Sequence, residues 1–220
     1  MTVGQDPAAP AAARNGLRER KKQRTRDALL RVALELFTTK GYEETTVDEI
    51  TDAVEVSQRT FFRYFAGKEA VVFAVQETVE SHFAAALRAR PAAESPVTAM
   101  RRAVTAAWDT LEETLQPVVP LSLYMRTYQV IESTPALLAV HLRRSAELEE
   151  ETVRLIAERE GVDVATDPRP RVVVAAFTGV MRVAGGLWSH GEDAGFDALR
   201  RLTEAHLDQL GPALADDWRG

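Results

Sequence analysis

Residues 56–65 read VSQRTFFRYF, three phenylalanines and a tyrosine beside two arginines within ten positions. On a helix starting near Gln58, at 100° per residue, these side chains sort into four stripes. Phe61 and Phe65 fall together and suit the apolar faces of the helices before them. Arg59 with Arg63, Thr60 with Tyr64, and Gln58 with Phe62 make the other three. A small three-helix core needs only the first stripe, so the rest is offered to something outside the fold. The DNA major groove suits that inventory. Arginine donates twice to guanine O6 and N7, glutamine binds adenine, and an aromatic ring meets thymine methyls. Thr46, Thr60, Tyr64, Lys68 and, further upstream, Arg24 suit phosphates.

The residues before this stretch read as two more helices. RTRDALLRVALELFTTKGY puts Leu29, Ala33, Leu36 and Phe37 on one stripe and stops at Gly41, a residue favoured at helix ends. Thr45 or Thr46 caps TTVDEITDAV, whose Asp48 and Glu49 suit the positive end of the helix dipole. Ser57 caps the third helix. A short helix, a turn and a second helix of this kind make a helix-turn-helix.

Beyond Gly67 the chain continues in helical pattern to its end, with no sustained two-residue alternation and no internal repeat. The expected fold class is all-α. A disordered basic leader (1–20) precedes a helix-turn-helix domain (21–67), and a larger helical domain (68–213) follows. The charge divides along the same line. Residues 1–68 carry 12 basic and 10 acidic side chains, net +2, whereas the remainder carries 15 and 23, net −8. Seven of the basic residues crowd into 14–26, which reads equally as a flexible DNA-contacting arm or as a solubilising tail. The absence of cysteine removes disulfides, thiolate metal sites and cysteine nucleophiles from consideration. His82, His141, His190 and His206 are scattered, with no metal-binding pair and no catalytic constellation. The expectation is no enzyme, no cofactor and no metal. The N-terminus lacks the features of a secretory signal and no apolar run reads as a membrane span, so a cytoplasmic protein with no membrane partner is the simplest expectation.

Residues 24–75 resemble the DNA-binding domain of TetR-family transcriptional regulators. The resemblance rests on the first helix, the VEVS turn and QRTFFRYFAGKEAVV, with Thr60, Tyr64, Phe65, Lys68 and Glu69 in the family's closing pattern. It implies a homodimer on an inverted-repeat operator of double-stranded DNA, and a helical domain whose small-molecule effector alters operator affinity. Two positions depart from the family: Glu55 stands where glycine is common in the turn, and Phe62 stands where tyrosine often meets phosphate. If the backbone at 55 is left-handed, glutamate there costs roughly 1–2 kcal/mol. RTYQVIESTPAL (126–137) further resembles the mycofactocin-associated subgroup of actinobacterial regulators, which brings acyl-CoA among the candidate ligands.

The larger domain is rich in adaptable apolar side chains. Trp108, Met125, Phe177 and Met181 are the candidate walls of a pocket, with Tyr124, Tyr128 and His141 as its polar tips. The pairs Arg101–Arg102 and Arg143–Arg144 are candidates for an acidic headgroup. VVVAAFTGVMRVAGGLW (172–188) is apolar nearly all round, and with the helix after it reads as a dimer interface through Gly179, Gly185, Trp188, Leu199 and Leu202. The resulting expectation is a ligand-responsive dimeric repressor with a mainly apolar effector. The alternative is an effector-independent activator or nucleoid-type binder whose rear domain only dimerises.

Overall fold

The computed structural model describes residues 9–215, and every regular element among them is helical. The chain falls into two compact units, 1–71 and 72–220. The first holds α1 (Ala9–Thr39), α2 (Val47–Ala53), α3 (Gln58–Tyr64) and the opening turn of α4 (Lys68–Arg88). The segment expected to be a disordered leader is thus helical from Ala9 onward, and only residues 1–8 of it lie outside the described residues. Leu29, Leu30, Ala33, Leu34 and Phe37 of α1, Ile50 of α2, Phe61 of α3 and Phe65 at its C-cap are all buried, where the three helices pack on one another. Fully burying a phenylalanine contributes about 1.5–3 kcal/mol, so the Phe61–Phe65 stripe does most to seat α3.

The ends of these helices follow from local chemistry. Thr46 caps α2 reciprocally: its hydroxyl accepts from the Glu49 N–H at 3.2 Å, and Glu49 Oε2 accepts from the Thr46 N–H at 2.9 Å. Glu49 also pairs with Lys40; that bond first, then the Thr46 backbone, holds its carboxyl down to about 2. At the far end, Glu55 N–H donates to Asp52 O and Val56 N–H to Thr51 O, at 3.1 and 3.0 Å. These are the two bonds of a Schellman cap, and they put Glu55 at φ +56°, in left-handed backbone. The same pair of bonds ends α8 at Gly161, φ +66°, where glycine accepts that geometry without a Cβ penalty.

The second unit contains the rest of α4, α5 (Pro96–Asp109), α6 (Leu111–Leu115), α7 (Leu121–Ser133), α8 (Pro135–Glu160), α9 (Arg169–Ser189), α10 (Phe196–Asp208) and α11 (Leu210–Ala215). The helical stretch that starts at Pro96 breaks at Thr110 into α5 and α6. Ala99, Met100, Ala103, Val153, Ile156, Val174 and Phe177 form the heart of its core. Contrary to the sequence reading, α9 is by length and composition apolar enough to cross a membrane, with a mean hydropathy of 1.5 over 18 residues. Only one of its faces is buried. Val172, Val183 and Leu187 are 65%, 52% and 53% exposed.

Candidate nucleic-acid interface and central cavity

The cap at Ser57, whose hydroxyl accepts from the Thr60 N–H at 3.3 Å, starts α3 so that Phe61 and Phe65 turn inward. Gln58, Arg59, Phe62 and Arg63 are then exposed, with Thr60 and Tyr64 half-buried at the flank. Arg63 lies against Tyr64, donating to its hydroxyl at 3.2 Å with the guanidinium 4.9 Å from the ring centre. Gln58 donates to Asp48, which holds its amide across to α2. Arg24 is exposed on α1, while Arg26 sits over the Phe65 ring at 5.3 Å. This face carries bidentate donors, an amide and an exposed aromatic, the side-chain types that read base edges.

Two of the phosphate candidates have other work. Lys68 Nζ donates to the carbonyls of Thr45 at 2.7 Å, Tyr42 at 2.8 Å and, more weakly, Glu43 at 3.4 Å. It also lies 4.6 Å from the centre of the Tyr42 ring. All three ammonium protons are therefore directed into the α1–α2 loop, and the residue acts as a clamp on that loop. Thr46 is committed to its capping box, although its side chain remains exposed.

In the second unit, helices α4, α5, α7, α8, α9 and α10 line a cavity of about 310 Å³ that opens toward solvent beside Leu142 and Arg182. All seven of the pocket residues expected from the sequence, Trp108, Tyr124, Met125, Tyr128, His141, Phe177 and Met181, line it. Tyr128 organises one end. Its ring stacks on Trp188 at 5.6 Å, meets His141 edge-on at 5.7 Å, and its hydroxyl presses against Gly185, where a Cβ would lie 2.7 Å away. Burial pushes the Tyr124 and Tyr128 phenols well above their usual range, so both stay protonated. Burial, with the charge of Arg144 added, holds His141 below its ordinary value in spite of Glu132 at 3.8 Å. Glu80 is raised by burial against the pull of Arg144, which binds both Glu80 and Glu77 at 3.2 Å.

The sequence reading missed Gln76, Glu80, Glu149 and Thr203 on this wall. A signal for two of them was present. Gln76 sits four residues after Val72 and three after Phe73, and Thr203 four after Leu199 and four before Leu207, so each is a polar residue on an apolar stripe. The arginines offered to an acidic headgroup are otherwise engaged: Arg101 with Asp208, Arg102 with Glu94 and Arg144 with its two glutamates, while Arg143 is exposed.

The expected dimer residues separate into two groups. Gly185 and Trp188 are buried within their own chain, the Trp188 indole donating to Gly195 O at 3.1 Å, and Leu199 lines the cavity. They face inward because Tyr128 and α10 pack on that side of α9. Leu202 is half-buried. Gly179 lies on the opposite side with Val172, Val183, Gly186 and Leu187, and a Cβ at either glycine would meet nothing.

Comparison with known proteins matches both units. The family described as bacterial regulatory proteins, tetR family, matches residues 29–75, and the one described as MftR C-terminal domain matches 94–215. The HTH-type transcriptional regulator TcmR of Streptomyces glaucescens is 47% identical over 204 residues, covering 93% of this chain and 90% of that protein. Among solved structures, NalD, the secondary repressor of the MexAB-OprM multidrug efflux pump in Pseudomonas aeruginosa, superimposes with a TM-score of 0.53 at 19% identity, covering 86% of this chain and 96% of NalD. A TerR/AcrR-family regulator from Aquifex aeolicus gives 0.52 at 16%, covering 86% and 99%. At those identities the structures establish the fold alone.

Proposed function

Because the chain belongs to the TetR family of DNA-binding transcriptional regulators, we propose that it is a homodimeric repressor released from an inverted-repeat operator by a small, mainly apolar effector. The observation that carries this reading is the course of α4. Its first turn, held by Lys68, belongs to the helix-turn-helix unit, and three turns further on the same helix contributes Gln76, Val79, Glu80 and Phe83 to the cavity wall. A ligand in the cavity therefore touches the helix that leads into the DNA-reading head. An effector that prefers the DNA-incompetent arrangement by about 1–3 kcal/mol weakens operator binding roughly 5–150-fold.

Gln58, Arg59 and Arg63 read base edges in this proposal, with Phe62 against thymine methyls; Thr60, Tyr64 and Arg24 meet phosphates. Pairing runs through the outer face of α9, where Val172, Gly179, Val183, Gly186 and Leu187 leave an apolar stripe open on the single chain. A two-fold axis there gives two reading heads and a palindromic site.

The test is fluorescence anisotropy on duplexes tiled across the gene's own upstream region, at several salt concentrations. Selective binding with a steep salt slope is expected. Arg59→Ala should lower operator affinity by about 1–3 kcal/mol and leave random-sequence affinity nearly unchanged. Equal losses on operator and random DNA would remove Arg59 from base reading. Compounds that raise the melting temperature are then tried for operator release, and a protein that binds them without releasing DNA is not effector-controlled.

A further inference from the structure

Two residues of the cavity wall carry a buried polar atom with nothing to bond. Gln76, on α4, is 6% exposed and its Oε1 has no hydrogen-bond partner; Thr203, on α10, is 1% exposed and its hydroxyl has none either. Buried helical threonines elsewhere in this unit satisfy themselves on the carbonyl four residues back, Thr127 on Leu123 and Thr152 on Leu148, both at 2.8 Å. Thr203 does not. The other buried atoms of this kind, Nε of Arg144 and Arg159, belong to guanidinium groups already bonded through their remaining nitrogens. A buried polar group without a partner is costly, and in a binding site its natural partner is the ligand.

The charges on the same wall narrow the ligand further. Glu80 is tied to Arg144 at 3.2 Å, and Glu149 accepts from the Thr178 hydroxyl at 2.9 Å. His141 is driven toward its neutral form by burial and by Arg144. Arg182 reaches the wall but is exposed to solvent. An anion entering this space meets two carboxylates and no buried cation free to receive it, a costly combination.

We infer that the effector is an uncharged, mostly apolar molecule with hydroxyl groups, one donating to Gln76 Oε1 and another bonding Thr203 Oγ1. This rests on the effector-controlled reading and deepens it: fatty acids, acyl-CoA headgroups and other anions are selected against by the wall itself. The cavity of about 310 Å³ sits at the small end of ordinary ligand sites, roughly 300–1,000 Å³, and suits a compact ring system better than a long chain.

The experiment uses the full chain and three naphthalene probes of one shape: a diol with hydroxyls at opposite ends, its dimethyl ether and the matching dicarboxylate. Calorimetric titration at neutral pH should rank diol above ether by about tenfold, with the dicarboxylate weakest. Gln76→Leu and Thr203→Val should each cut the diol-to-ether ratio to about a third or less. Thr203→Val keeps the side-chain shape and removes the orphaned hydroxyl, so without ligand it should melt no lower than the parent. The inference is overturned if the dicarboxylate equals the diol, if the ratio survives both substitutions, if none of the probes binds at millimolar concentration, or if Thr203→Val melts several degrees lower. Operator release by the diol is read separately. Selective binding with the operator still held defeats the repressor-release reading and leaves the ligand assignment standing.

Discussion

Replacing Lys68 by methionine separates a structural clamp from a phosphate contact. The substitution keeps the length of the stem and removes the ammonium. It deletes two short charge-assisted bonds, to Thr45 O at 2.7 Å and Tyr42 O at 2.8 Å, a long third to Glu43 O, and the approach to the Tyr42 ring. Each charge-assisted bond contributes about 1.5–3 kcal/mol at full strength. Lys68 is only half-buried, so water reaches the freed carbonyls and the net loss settles at roughly 2 kcal/mol. For a chain of this size that lowers the melting temperature by about 4–8 °C, measured by circular dichroism. Operator binding is followed at 15 °C, well below the transition, as log affinity against log salt concentration. A clamp leaves the slope unchanged, whereas loss of one phosphate contact makes it shallower by about 0.9. An unchanged melting temperature together with a shallower slope would refute the clamp and return Lys68 to the DNA backbone.

Glu55→Gly removes a Cβ from left-handed backbone at φ +56°; the relief of about 1–2 kcal/mol less the extra chain entropy of glycine leaves a gain of about 1 kcal/mol. The melting temperature should rise by about 2–4 °C, and a fall would show that the turn depends on the glutamate side chain. Gly185→Ala sets a methyl 2.7 Å from the Tyr128 hydroxyl, forcing the phenol off its stack with Trp188 at a cost of about 1–3 kcal/mol. Indole fluorescence should change with it, and a crystal structure with Tyr128 unmoved would count against the contact. His141 has its folded-state pKa below the ordinary value, so its contribution to stability is complete above about 6.5 and declines as pH falls below that. The difference in unfolding free energy between the parent and His141→Gln should therefore shrink from pH 7.5 to 5.5. Glu80, raised by burial, works in the opposite direction but is common to both proteins and drops out of the difference, and Glu132, 3.8 Å from His141, is replaced by glutamine in both. A constant difference across that range would mean His141 titrates normally.

The helix-turn-helix was legible because three signals agreed over a few residues. The caps at Thr46 and Ser57, the Phe61–Phe65 stripe and the leftover polar stripes of α3 are all local, and local patterns survive folding unchanged. The pocket residues were legible as a set for a different reason. Large aromatic and thioether side chains in the middle of a helical domain line whatever space the helices leave. What sequence could not settle was which side of a uniformly apolar helix faces which neighbour. Gly185 and Gly179 look alike in the α9 sequence, yet one abuts Tyr128 and the other opens to solvent. The clamp made by Lys68 was not legible because its partners, the carbonyls of residues 42–45, are more than twenty positions away and carry no side-chain signature.

If the proposed pairing runs through the open stripe of α9, it has a consequence for partner choice. Its central positions, Val172, Gly179, Val183, Gly186 and Leu187, carry no charge, while at the margin Arg171 is paired with Glu150 and Arg182 is exposed. A pairing surface of that kind holds little electrostatic address, since it is opposite charges that attract the correct mate and like charges that repel wrong ones. In that proposed pairing discrimination falls mostly to relief, with valine and leucine of one copy set to seat in the notches left by Gly179 and Gly186 of the other. A cell holding two such regulators keeps them from mixing only as far as their bumps and notches differ. Filling one notch in one of them would create a second, orthogonal pair from the same scaffold.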